Sequence, residues 1–222
     1  LQAAGVHPYV LRLLALPSIL QALGGELVNM TAQGTQGKVS STFWRFLALT
    51  DPTATRVICR DADSRLSARD KAAVSEWMAS AYPFHVMHDH PHHNKWPVLA
   101  GLFGSVNGLL HPKLILKWFK QDQDVAKDGL KGQPDYKWTA DQNWLRDTVW
   151  PLVRNHTLSH SSFNCGDFGE AKSQGFPVKR ASASDFVGNI HELKNVWQGQ
   201  ALPVIAAIAC PLKCRRQPDW VA

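Results

Sequence analysis

The stretch DPTATRVICRDADSRLSARDKAAVSEWMASAYPFHVMH, residues 51–88, constrains this chain more than any other. A turn at Asp51-Pro52 leads into an apolar run, Arg56–Cys59, which reads as a strand and ends in a charged loop. Ser67 then stands as an N-cap with Asp70 three residues on as its box partner, and Ala73, Val74 and Trp77 share one helix face. A second strand, His85–Met87, follows. Strand, loop, helix, strand is the grammar of an α/β fold with a parallel sheet.

The flanks fit around that unit. Residues 6–30 read as a helical stretch interrupted by Pro17, stopped at Gly24-Gly25 and followed by a short strand, Glu26–Met30. STFWRFLAL reads as a helical turn or short helix capped by Ser41 or Thr42. WPVLAGLFGSVNG suits a strand and a close-packed turn, and LHPKLILKWFKQDQ suits an amphipathic helix. A polar loop then leads to TADQNWLRDTVWPLV, a helix capped by Thr139 and ended by Pro151. The remainder reads as short strands and loops. With no internal repeat and 222 residues, one domain spanning 1–222 is the simplest organisation.

A formal charge of +6 and a pI near 9.3 favour an anionic partner. No dense Lys/Arg run interleaved with aromatics occurs, so nucleic acid ranks below a small phosphorylated ligand. No window holds the roughly 18 apolar residues of a membrane span, and ALPVIAAIAC is too short for one. The start, LQAAGVHPYV, lacks Met and a leader pattern, so it reads as a processed chain or fragment. The four cysteines leave the compartment open between cytoplasm and secretory lumen. Cys210 and Cys214 could close a small loop if oxidised, and Cys59 reads as a buried thiol. Asn29 and Asn155 head glycosylation tripeptides, which would matter only in a secretory lumen.

Asp61 and Asp63 stand where a strand ends and a helix begins. In open α/β sheets ligands bind outside the carboxyl ends of the strands. Residues i and i+2 of an extended segment point the same way, so these carboxylates can share one hard cation. Mg²⁺ or Mn²⁺ held there would bridge a diphosphate. Arg60 and Arg65 flank the pair and could contact phosphate or restrain the aspartates. The plainer alternative is a solvated loop whose Asp and Arg residues pair with each other.

The blocks FWRFLALTDP, VICRDADSRLSARDKAAVSEWM, FHVMHDHPHHNKWPVLAGLFG, DQNWLRDTVWP, LSHSSFNC and FVGNIHE together resemble proteins regarded as nucleotide-sugar glycosyltransferases of the GT-A fold. The similarity runs from about Phe43 to Glu192, and CPLKCRRQPDW extends it. It implies a Rossmann-type, mixed and mostly parallel sheet flanked by helices. It also implies a Mn²⁺- or Mg²⁺-dependent transferase with a nucleotide diphosphate-sugar donor and a glycan or other hydroxyl acceptor, its metal motif at Asp61 and Asp63. GT-A domains usually open with a strand and nucleotide-binding loop, and this chain starts after them.

Other residues take roles around that motif. His88 and His90 lie on one side of an extended strand, and Asp89 and His90 could bond sugar hydroxyls, or a pyrophosphate oxygen when the ring is imidazolium. The same cluster, His85 to His93, could instead hold zinc or simply line a polar strand end. Asp141 opens a helix and is a candidate for deprotonating the acceptor, with helix capping as the equal alternative. Asp147 reads as surface. By the resemblance, His160 rather than His156 completes the metal's shell. Arg180 and Lys179 could hold the diphosphate, and Trp96 and Trp144 are sugar platforms or core. Competing readings are a non-catalytic carbohydrate-binding scaffold of the same fold and a histidine-metal hydrolase. The absent P-loop, dinucleotide and nucleophile-elbow motifs argue against three other enzyme classes.

Overall fold

The computed structural model describes residues 22, 41–118, 140–182, 184–189, 196–197, 200–201 and 209–220. By internal contacts the chain divides into two compact units, Leu1–Val39 and Ser40–Ala222. Apart from residue 22, the helix and strand expected before residue 31 fall outside the described residues, as do Thr139 and the polar loop before it.

The second unit is mixed α/β. It opens with a 3-10 helix, Ser41–Thr50. A 3-10 helix repeats every three residues, and Phe43, Phe46 and Leu49 stand at that spacing, all but inaccessible to solvent. Strand β1 (Arg56–Arg60), helix α1 (Ala68–Ala79) and strand β2 (Phe84–His88) follow as the sequence predicts. Ser67 caps α1 by accepting from the Asp70 backbone N–H at 3.1 Å. The reciprocal half of the expected capping box is absent among the described contacts, because the Asp70 carboxylate grips Arg60 in a two-bond fork of 2.9 and 3.1 Å.

The sheet order is β1-β3-β2-β4-β5, with β3 at Leu102–Val106, β4 at Thr157–Ser161 and β5 at Lys172–Gln174. β2, β4 and β5 pair in parallel, whereas β3 runs antiparallel to both β1 and β2. The strands joined by α1 are therefore co-directional but not adjacent. β3 lies between them, so the sheet is mixed with one reversed strand. A separate two-residue pairing joins β6 (Val196–Trp197) to β7 (Gln200–Ala201).

Layers form on both sheet faces. On one, α1 stacks Trp77 against His85, ring centroids 5.3 Å apart and planes nearly parallel. A Cβ at Gly104 would stand 2.9 Å from the Trp77 ring, so this strand position needs a glycine. On the other, Phe46 packs on Phe103 and Trp144. Trp144 is thus core, not a ligand platform. Trp96 is half-buried, with the Arg146 guanidinium 4.9 Å above its ring.

Pro151 does not end its helix as expected. Helical structure runs from 140 to 153, and the turn before the proline, Leu145–Val149, widens into π geometry. The Trp150 N–H reaches back five residues to the Leu145 carbonyl. Proline offers no N–H and crowds the preceding turn, and a π segment absorbs that misfit without a break.

The cysteine pairing also differs from the expected small loop. Cys165 is bonded to Cys214 across 49 residues. Cys210 remains a buried thiol in the same cluster, its hydrogen directed to the Ser162 carbonyl at 2.6 Å. Cys59 is the buried thiol the sequence suggests, its pKa pushed up to about 12, above all by burial.

Two measurements check this packing. Trp77→Ala should lower unfolding free energy by about 3–5 kcal/mol, read as a shifted urea midpoint at unchanged slope. Peptide mapping without reduction should recover the Cys165–Cys214 cross-link and leave Cys210 alkylatable after unfolding.

Candidate functional site

The carboxyl ends of β1, β2 and β4 open on one edge of the sheet, and the residues singled out by sequence separate there into two groups. Asp61 follows the last residue of β1 and is exposed, with its carboxylate 2.6 Å from Arg45 of the 3-10 helix. Asp63 is exposed in the next turn, which is closed by the Ser64 N–H bonding to the Asp61 carbonyl. Gly101, at the start of the neighbouring strand, leaves the space Asp61 fills. A Cβ there would lie 2.1 Å from Asp61 Oδ2.

Asp141 belongs to this group. With its amide nitrogen facing Val98 O and its oxygen facing Ala100 N, Gln142 makes two 3.0 Å bonds to the loop before Gly101. Those bonds draw the start of helix 140–153 to the sheet edge. Asp141 is buried and accepts the Gln142 N–H at 2.9 Å. Burial pushes its carboxyl above the usual range and Asp61 adds to that, while the Gln142 N–H and Arg45 pull the other way. Raised basicity suits a proton acceptor. Arg45, which sequence reading missed, is the cation between these acids. Its signal was a lone charge off the three-residue apolar period of FWRFLAL.

The second group is buried and mutually engaged. Asp89 has no accessible surface. Its carboxylate accepts Arg69 Nε at 2.7 Å and Arg69 Nη2 at 2.9 Å, Arg180 Nη2 at 2.8 Å, the Val187 N–H at 2.9 Å and the Ser162 hydroxyl. Burial alone would push it up, but Arg69 and Arg180 outweigh that and hold it below the usual carboxylate range. With no oxygen left to face solvent, Asp89 cannot serve sugar hydroxyls as expected. Arg180 is likewise buried against Asp89, between the Phe163 and Phe186 rings, and not open to a diphosphate. Lys179 is exposed.

The histidines also differ from expectation. His88 is fully buried, bonds the Trp96 carbonyl at 3.0 Å, and burial lowers its pKa to about 4. His90 accepts the His92 N–H at 3.0 Å and also falls to about 4, first through burial and then through His92. Both rings are neutral at pH 7, so neither supplies the imidazolium that a pyrophosphate contact needs. His93 accepts the Asp89 N–H at 3.2 Å. These ring nitrogens stabilise their own loop, which disfavours the zinc alternative.

His160 does not reach the aspartate pair. It is fully buried on the α1 face, with Nδ1 2.8 Å from His85 Nε2 and Nε2 3.0 Å from Glu76 Oε2. Burial lowers His160 to about 4 despite Glu76. Burial pushes Glu76 up, yet Arg216 and His160 together bring it to about 2. The pair is therefore a carboxylate and a neutral imidazole, with His160 donating to Glu76 and accepting from His85. Arg60, expected to guard the aspartates, is held by Asp70 instead. Arg65 is exposed, and Asp147 is on the surface, paired with Arg146.

Among the described residues, no three His, Cys, Asp or Glu side chains converge as a metal site, and no helix is long and apolar enough to cross a membrane. No family model, curated protein or solved structure matches the chain.

The depressed histidines set a pH dependence. Their folded pKa values lie below the unfolded value near 6.5, so the unfolded chain binds more protons on acidification. Their contribution is complete above about pH 6.5 and is lost as pH falls toward 4. The loss approaches about 1.4 kcal/mol per pH unit for each such histidine. Urea midpoints measured from pH 7.5 to 4.5 should fall accordingly, and His160→Gln should flatten the slope.

Proposed function

We propose that the chain is a metal-dependent glycosyltransferase of the GT-A type, moving a sugar from a nucleotide diphosphate-sugar to a glycan or other hydroxyl acceptor. The observation that carries this reading is the exposed Asp61–Asp63 pair beyond the carboxyl end of β1, with Asp61 seated against Gly101 and flanked by Arg45 and Asp141. Strand β1, the aspartate-bearing turn and the capped helix α1 follow one another in the chain as the sequence predicts, and the residue resemblance suggests the chemistry.

Two exposed carboxylates are a donor chemistry suited to Mg²⁺ or Mn²⁺, although Asp63 stands in a turn closed by the Ser64 N–H and not in the extended segment expected. Such ions are commonly held by one or two carboxylates, with water and phosphate oxygens completing the shell, so a pair of aspartates without a third protein ligand is enough. Asp61 and Asp63 would hold the ion. When bound it would supply positive charge that offsets the charge of a diphosphate leaving group. Arg45 fixes the Asp61 carboxylate through its 2.6 Å contact. Asp141, more basic than an ordinary aspartate, takes the proton of the acceptor hydroxyl. The buried Asp89 cluster holds the neighbouring strand end still while these groups work.

The competing scaffold reading predicts glycan binding without nucleotide binding. A thermal-shift series with UDP and GDP, with and without Mn²⁺, separates the two, because a ligand that binds only the folded state raises the melting point. The expected result is a Mn²⁺-dependent rise that disappears in Asp61→Ala with Asp63→Ala. The lost Arg45 contact is solvent-exposed and contributes at most about 1 kcal/mol, so the double variant should still fold. Asp141→Asn should keep the shift while turnover falls about 10²- to 10⁴-fold. No nucleotide-dependent shift in the parent protein would overturn the proposal.

A further inference from the structure

Asn155 heads the tripeptide Asn155-His156-Thr157, which has the Asn-x-Thr form of an N-glycosylation acceptor. The structure adds three facts about it. Asn155 is exposed at the middle of the 3-10 turn Arg154–His156, and its neighbour Leu152 is 57% exposed. Thr157, in contrast, has no accessible surface, and its hydroxyl donates to the Val153 carbonyl at 2.8 Å. The chain also carries the Cys165–Cys214 disulfide, a bond that forms and persists in oxidising compartments such as the secretory lumen. N-glycosylation belongs to the same compartment.

We propose that Asn155 carries an N-linked glycan, added in the secretory lumen before β4 folds. In the step, the Asn155 side-chain nitrogen forms a bond to the anomeric carbon of a lipid-pyrophosphate-linked oligosaccharide. The bond from that carbon to the pyrophosphate oxygen breaks, the amide gives up one proton to a base of the transferring enzyme and so to solvent, and the lipid pyrophosphate leaves with the electron pair. No oxidant or reductant is consumed. The transferring enzyme must reach the threonine hydroxyl as well as the asparagine. In the folded chain that hydroxyl is buried beneath the turn, at the start of a strand held between β2 and β5. Transfer therefore precedes strand closure, and it precedes the disulfide, whose second cysteine lies 49 residues after the first.

The glycan would not obstruct the candidate site. Asn155 precedes the amino end of β4, whereas Asp61 and Gly101 lie level with its carboxyl end near Ser161. The five residues of β4 alone span about 13 Å, and Asn155 lies beyond them in the preceding turn. The sugar would instead cover the exposed Leu152 beside the turn.

The test is cell-free translation of the full chain behind a cleavable leader, with eukaryotic microsomes, reading only protease-protected chains. The expected result is a slower-migrating species collapsed by an amidase that removes N-glycans, with the label located at position 155 by peptide mass. Asn155→Gln and Thr157→Val should abolish it, while Thr157→Ser and Asn29→Gln should retain it. Because the modification is read on the nascent chain, a variant that folds poorly still reports. Folded protein purified from bacteria should not accept sugar from the same microsomes after detergent opening. Protected chains carrying an unmodified Asn155 would overturn the proposal, and so would efficient modification of the folded protein. The Mn²⁺- and nucleotide-dependent melting shift should be the same in Asn155→Gln and the parent, so failure of the transferase reading leaves this result intact.

Discussion

The buried carboxylate of Asp89 organises this fold. It receives Arg69 from α1, Arg180 and Val187 from the late loops, and Ser162 from the segment after β4. Those groups come from regions up to 98 residues distant in sequence. Phe176 and Val187 anchor those loops in the core, and the carboxylate adds direction to that packing. A fully desolvated anion with several donors gives each of them one geometry. Removing such an anion leaves two guanidiniums buried without compensation, which is far more costly than the net worth of the pair.

That anchoring explains why acidic residues at one sheet edge have opposite fates. Asp89 is sealed under the late loops, whereas Asp61 and Asp63 remain accessible beyond β1. A solvent-facing pair can exchange ligands, and an engaged one cannot. Arg45 keeps Asp61 oriented through a single contact in water, weak enough to yield to a multivalent cation. Gln142 tethers the buried Asp141 to the same corner through backbone groups of the preceding loop. The corner therefore combines a fixed frame with a pair of solvent-facing carboxylates.

The sequence made β1, α1 and β2 legible because apolar spacing and a capping serine are local signals. Strand direction is not local, since alternation of side chains reads the same both ways, and the reversal of β3 emerged only from pairing. The histidine block misled for a related reason. HDHPHH has the composition of an exposed ligand set, yet His88 and Asp89 are inaccessible, and nothing within five residues says that two distant arginines will cover Asp89. His160 was assigned to the metal by resemblance, although its strand alternation puts it on the α1 face. The disulfide partner of Cys214 was equally hidden, because CPLKC offers a nearer thiol and loop closure carries no sequence mark. Asp61 and Asp63 are exposed, as the plainer solvated-loop alternative has them, but the arginine that meets Asp61 is the distant Arg45 and not a neighbour in the loop.

The reversed strand has a consequence for how the sheet can assemble. β1 and β2 leave the ribosome before β3, yet each hydrogen-bonds to β3 and not to the other. Until residues 102–106 emerge, both earlier strands present bare amide edges toward the gap that β3 will fill. Unpaired edges of that sort attract foreign strands. α1 spans the gap from one side, burying Trp77 against β2 and forbidding side-chain bulk at Gly104. The missing Cβ thus acts as a keyway, admitting one late-arriving strand in one register to a slot already roofed by an indole.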